Sequence, residues 1–77
     1  MKHIDLDEMN IEELLFYCKS ENGYYLKSAL LLELDQPNLA NEDNQILFEL
    51  LELKLKNDRT KIKDFLLEVA LDIKLEL

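Results

Sequence analysis

The chain holds one glycine, Gly23, and one proline, Pro37, in 77 residues. All-β sandwiches and barrels need turn residues roughly every 8 to 12 positions, so punctuation this sparse leaves only long uninterrupted segments. Nineteen leucines and an apolar fraction of 48% make those segments helical, because leucine is among the better helix formers. A chain of this length buries only about 60% of the surface its unfolded form exposes, which limits it to one core. The sequence therefore predicts a single all-α domain spanning 1–77, a small antiparallel bundle of about four short helices arranged as two αα-hairpins.

The first helix start is the best marked. Asn10 stands at the cap, Glu13 at the reciprocal capping-box position, and Met9 with Leu14 at the positions of a hydrophobic staple. Ile11, Leu14, Leu15 and Cys18 then fall at i, i+3, i+4 and i+7, one apolar face. "SENG" reads as a stop, with Gly23 at a left-handed C-cap. A second helix follows from about Tyr24 to Leu34, and its "ALLLEL" is apolar on nearly every side, as expected of the most buried helix of a bundle. It ends at "DQPN", where Pro37 pushes Gln36 out of helical dihedrals.

Asn38 or Asn41 is the expected cap of a third helix, with Glu42 and Asp43 in its first turn and Ile46, Leu47, Leu50 and Leu51 on its core face, widened by Phe48 and Leu55. The fourth segment carries Ile62, Phe65, Leu66, Val69, Ala70, Ile73 and Leu77 at uninterrupted helical spacing. A rival reading pairs the alternating "LELKLK" and "LDIKLEL" as a β-hairpin turning at "NDRT". It is the weaker of the two, since that turn has no glycine and the flanking residues favour helix. Residues 1–9 precede the first cap, a segment that either packs through Ile4 and Leu6 or stays mobile.

Catalytic chemistry finds little support in this composition. The only cysteine, Cys18, lies on an apolar face, and the only histidine, His3, lies near the start, so neither a Cys/His nucleophile pair nor a zinc site can be assembled. One glycine cannot build a phosphate-cradling loop, and "NEDN" (41–44) lacks the glycine and ligand ladder of a calcium loop. No enzyme activity, metal or cofactor is expected. Runs such as "ALLL" (29–32) fall far short of the roughly 20 apolar residues that span a bilayer. A lone thiol and a start without a secretory pattern predict a cytoplasmic protein.

The formal net charge is -8, which repels nucleic-acid phosphates and anionic lipid and favours a basic protein partner. That charge is unevenly spread. Residues 1–53 hold twelve acids and three lysines, a balance of -9, whereas 54–77 hold six bases and five acids, a balance of +1. Five of the nine bases crowd into "KLKNDRTKIK" (54–63): Lys54, Lys56, Arg59, Lys61 and Lys63. Read structurally, Lys54 and Lys56 end the third helix, 57–60 turn, and Thr60 caps the last helix. Read functionally, the run is a cationic end that docks on the acidic half of a second copy. A DNA-reading helix is disfavoured, because no helix carries net positive charge along its length.

Two readings of function follow. In the first, the chain is a non-catalytic acidic binding module of the inhibitor, antitoxin or immunity type, covering a basic protein through Tyr24, Tyr25, Glu12, Glu13, Glu42 and Asp43. Adjacent Tyr24 and Tyr25 point about 100° apart on a helix, so one of them should be exposed. In the second, it is an assembly protein that self-associates through the basic run and through leucines off the best core faces, among them Leu31, Leu53, Leu67, Leu71 and Leu75.

Overall fold

The computed structural model describes residues 5–76, so His3, Ile4 and Leu77, named above, lie outside the described residues. Three α-helices make the fold: α1 (Ile11–Leu34), α2 (Asn44–Lys54) and α3 (Arg59–Glu76), with 3-10 turns at Leu6–Glu8 and Pro37–Leu39. No strand is present among the described residues, and the proposed hairpin segments lie in α2, in the turn after it and in α3. The all-α class holds; the count of four helices is corrected to three.

The correction turns on Asn22. Its backbone leaves helical dihedrals (φ -160°, ψ 81°) in the middle of α1, and its Oδ1 accepts from the Tyr25 N–H at 3.1 Å. Asn22 thus caps a second limb of the same helix with no loop between the limbs. Gly23 has no positive φ, so it is not the left-handed cap that "SENG" suggested. The left-handed residue is Asp35 (φ 56°, ψ 42°), which ends α1 with its N–H on the Leu31 and Leu32 carbonyls.

Asn22 is also a corner. Ile11 shares a hollow with Thr60 and Lys63, Cys18 Sγ lies 3.9 Å from the Leu66 carbonyl, Tyr25 bonds Asp72, and Leu32 shares a groove with Phe65. The two ends of a straight 24-residue helix would stand about 36 Å apart. Here both reach neighbouring turns of α3, so the limbs 11–21 and 23–34 run in opposite senses along it.

α2 does not complete an antiparallel bundle. Asn44 Nδ2 donates to the Gly23 carbonyl at 3.1 Å, and Lys54 Nζ donates to the Glu33 carbonyl, so α2 runs in the same sense as limb 23–34. The connection 35–43 makes this possible by returning to the corner, held on the way by Lys27 Nζ on the Ala40 carbonyl at 3.1 Å.

Helix starts follow local chemistry, with shifts from expectation. The Asn10–Glu13 capping box forms in both directions, at 2.8 and 2.9 Å. α2 is capped by Asp43, whose Oδ1 accepts from the Ile46 N–H at 2.9 Å, not by Asn38 or Asn41; Glu42 and Asp43 therefore precede the helix. α3 is capped by Asp58, whose Oδ1 accepts from the N–H groups of Thr60 and Lys61, not by Thr60. In both cases an aspartate two positions from an expected residue, Asn41 or Thr60, reaches the free N–H groups, and its carboxylate suits the positive helix end. Between α2 and α3, Lys56 and Asn57 both take left-handed dihedrals (φ 55° and 56°).

The core draws on the first turn and all three helices: Leu6 from the turn, Ile11, Leu14, Cys18, Leu26 and Leu30 from α1, Leu47, Phe48 and Leu51 from α2, and Ile62, Leu66, Val69, Ala70 and Ile73 from α3. α1 packs on both other helices and is the element they share. Two expected core positions fall elsewhere. Ile46 is exposed and Leu50 half-buried, while Phe48 is buried on the core face with Leu47 and Leu51. In "ALLLEL", Leu30 is buried but Leu32 is 83% exposed, since limb 23–34 has a neighbour on two sides only.

Candidate functional site

The antiparallel pairing of limb 23–34 with α3 leaves a groove of about 350 Å³ between them. Its floor is Ala29 and Val69, and its walls are Leu32 and Phe65. Ala29 carries only a methyl group, which leaves space above it between the helices. The rim is acidic: Glu33 on one side, Glu68 and Asp72 on the other, with Tyr25 at the end. Glu68 and Asp72 are one turn apart on α3 and belong to a row of acids, Asp64, Glu68, Asp72 and Glu76, at four-residue spacing. No lysine or arginine lines this groove.

Tyr25 closes the end by donating to Asp72 Oδ2 at 2.9 Å. That hydrogen bond, with partial burial and the nearby carboxylates of Asp72, Glu76 and Glu68, raises the phenol's pKa above its ordinary value, so Tyr25 stays a donor at neutral pH. Chemically, the groove offers an apolar floor and three carboxylates. It can hold a side chain that is apolar along its length or flanked by cations.

The residues singled out in the sequence do not converge. Of the six acidic-face candidates, Tyr25 alone lines the groove. Tyr24 is 87% exposed and shares a shallow hollow with Asp43 at the corner. The expectation that one of the tyrosine pair is exposed therefore holds, with Tyr24 the exposed one. Glu12 and Glu13 are exposed at the start of α1, where Glu13 is held in the capping box, and Glu42 is half-buried before α2.

Most of the basic run is occupied within the chain. Arg59 pairs with Glu52 at 3.2 Å, Lys63 Nζ donates to the Asp7 carbonyl at 3.3 Å, and Lys54 is on the Glu33 carbonyl. Arg59 and Lys63 also line a hollow with Glu12 and Asp64. Lys56 and Lys61 are exposed. The run thus ties the end of α2 to the end of α1 and the start of α3 to the 3-10 turn before α1, a use of cations that cap chemistry alone does not explain.

Sequence reasoning missed Glu33, Glu68, Asp72, Leu32 and Phe65. The four-residue spacing of acids along α3 was a visible signal for two of them. The pairing across the groove was not visible, because it depends on the corner at Asn22.

Cys18 is fully buried, and burial pushes its thiol pKa up from 9.0 to about 11. Among the described residues no group of three metal-ligating side chains converges, and no helix is long and apolar enough to cross a membrane. Comparison with protein-family models, curated proteins and solved structures finds no match to the chain.

Proposed function

We propose that this chain is a non-catalytic, cytoplasmic binding module whose acidic surface engages a basic protein, as an inhibitor, antitoxin or immunity protein does. The observation that carries the reading is the groove beside α3, where Leu32 stands 83% exposed among Glu33, Glu68 and Asp72. An exposed apolar anchor ringed by like charge suits a partner of opposite charge: the ring steers the encounter, and the anchor supplies desolvated contact. The buried, protonated thiol of Cys18 supports a binding role over a nucleophilic one.

The test compares the wild-type chain with E33K/E68K as immobilised bait in cell extract, at low and at high salt, with retained proteins identified by mass. The expected result is a small set of basic proteins kept at low salt, released by high salt and lost with the variant. Retention that ignores both salt and charge reversal would overturn the reading.

Self-association is the second reading, favoured by Leu53, 68% exposed on α2 beside Lys54 and Lys56. Light scattering at about 0.1 M and about 1 M salt separates the two, since a Debye length near 10 Å shrinks to about 3 Å over that range. A salt-sensitive dimer lost in K56E/K61E would put self-association first.

A further inference from the structure

We infer that the groove between limb 23–34 and α3 takes an amphipathic helix bearing one large apolar side chain flanked by lysines or arginines one turn apart. This deepens the acidic-module reading and rests on it.

Spacing is the first reason. Glu68 and Asp72 sit four residues apart on one rigid helix, about 6 Å along its axis. Cations at i and i+4 of a second helix repeat at that same interval, so two pairs form without strain on either backbone. Glu33 faces them from the other lip and meets a third cation on the occupant's far edge.

Shape is the second. The groove's volume of about 350 Å³ sits at the low end of the roughly 300 to 1,000 Å³ that small-molecule sites enclose. The apolar lining of Ala29, Val69, Leu32 and Phe65 gives one large inserted side chain its seat.

The third reason is the kind of surface on offer. Strand addition, one route by which extended peptides bind, needs a sheet edge, and the described residues contain no strand. The groove offers helix surfaces on both sides, and the mode that uses such surfaces is a helix laid between them with its apolar face down.

The experiment uses a fluorescein-labelled, end-capped helical peptide of about 18 residues, built of alanine, with leucine on one face and lysines at i and i+4 on both flanks. Its controls replace the lysines by glutamate or the leucines by alanine. Fluorescence anisotropy reads affinity, and amide shifts in a proton–nitrogen spectrum read location. Saturable binding is expected, with shifts confined to limb 23–34 and α3 and no binding of either control. E33K/E68K should weaken it roughly tenfold or more, and Phe65→Ala should weaken it several-fold. The charge-matched variant E21K/E49K, off the groove, should change it less than about threefold.

Three results would overturn the inference. Equal loss in E33K/E68K and E21K/E49K would mean diffuse attraction, leaving the acidic-module reading standing without the groove. Failure of the peptide to bind while basic proteins are still retained from extract would do the same. A dimer that E33K/E68K dissociates would give the groove to a second copy and remove both readings together. Circular dichroism of each variant separates lost binding from lost fold.

Discussion

Tyr25 on the second limb of α1 donates to Asp72 on α3 across 2.9 Å, joining two helices at residues 47 positions apart in the chain. The bond raises the phenol's pKa above its ordinary value of 10.0. A group whose folded pKa is raised gives stability that is complete below the unfolded pKa and lost as pH climbs through the folded one. The loss therefore falls above pH 10, on the alkaline side. The urea midpoint of the wild-type chain should drop more steeply from about pH 9 to about pH 12 than that of Tyr25→Phe, which has no proton to lose. Tyr17 and Cys18, also raised, contribute equally to both proteins. Parallel curves would mean that the bond does not form in solution.

The corner gives a prediction of unusual sign. Replacing glycine at a left-handed cap costs stability, but Gly23 has no positive φ, and a Cβ there would meet only Asn44 Nδ2 at an ordinary 3.6 Å. Gly23→Ala should therefore raise stability, by about 0.5 kcal/mol, through a less free unfolded chain. Asn22→Ala, which removes the cap on the Tyr25 N–H, should lower it by about 1 kcal/mol. Urea denaturation at neutral pH reads both.

At the start of α3 the two candidate caps can be told apart in the same way. Asp58→Ala should cost about 1 kcal/mol, because two backbone N–H groups lose their acceptor. Thr60→Ala should stay within about 0.5 kcal/mol, as an exposed residue with no capping bond. Matched thermal melts decide between them, and a larger loss for Thr60 would refute the observed geometry.

In the core, Leu66 is fully buried opposite Cys18, and Leu66→Ala should cost about 2 to 5 kcal/mol. Domains of this size hold roughly 0.05 to 0.15 kcal/mol of stability per residue, so the variant should be partly unfolded at 37 °C by circular dichroism. Leu53→Ala, at a site 68% exposed, should stay within about 0.5 kcal/mol.

How far these features could be read in advance depends on how local they are. The Asn10–Glu13 box is complete within four residues and was legible, as was the apolar stripe of α3 through Ile73. The caps of α2 and α3 were misplaced by two to five residues, because Asp43 competes with Asn38 and Asn41, and Asp58 with Thr60, within single polar stretches. Asn22 was hidden for a different reason. Its side chain starts a limb at the point where its own backbone ends one, and the glycine beside it looked like the better stop. The groove was least legible of all, since its lips come from 25–33 and 65–72 and meet only after that corner has formed.

The place of α1 between the other helices governs when this chain can fold as it is synthesised. α2 and α3 are neighbours in sequence across 55–58, yet each packs chiefly on α1 and little on the other. α1 and α2 can pack before α3 exists, but the face of α1 that α3 covers stays open until then. Cys18 meets Leu66 only when α3 has been added, so the shared core closes only after the last third of the chain is in place.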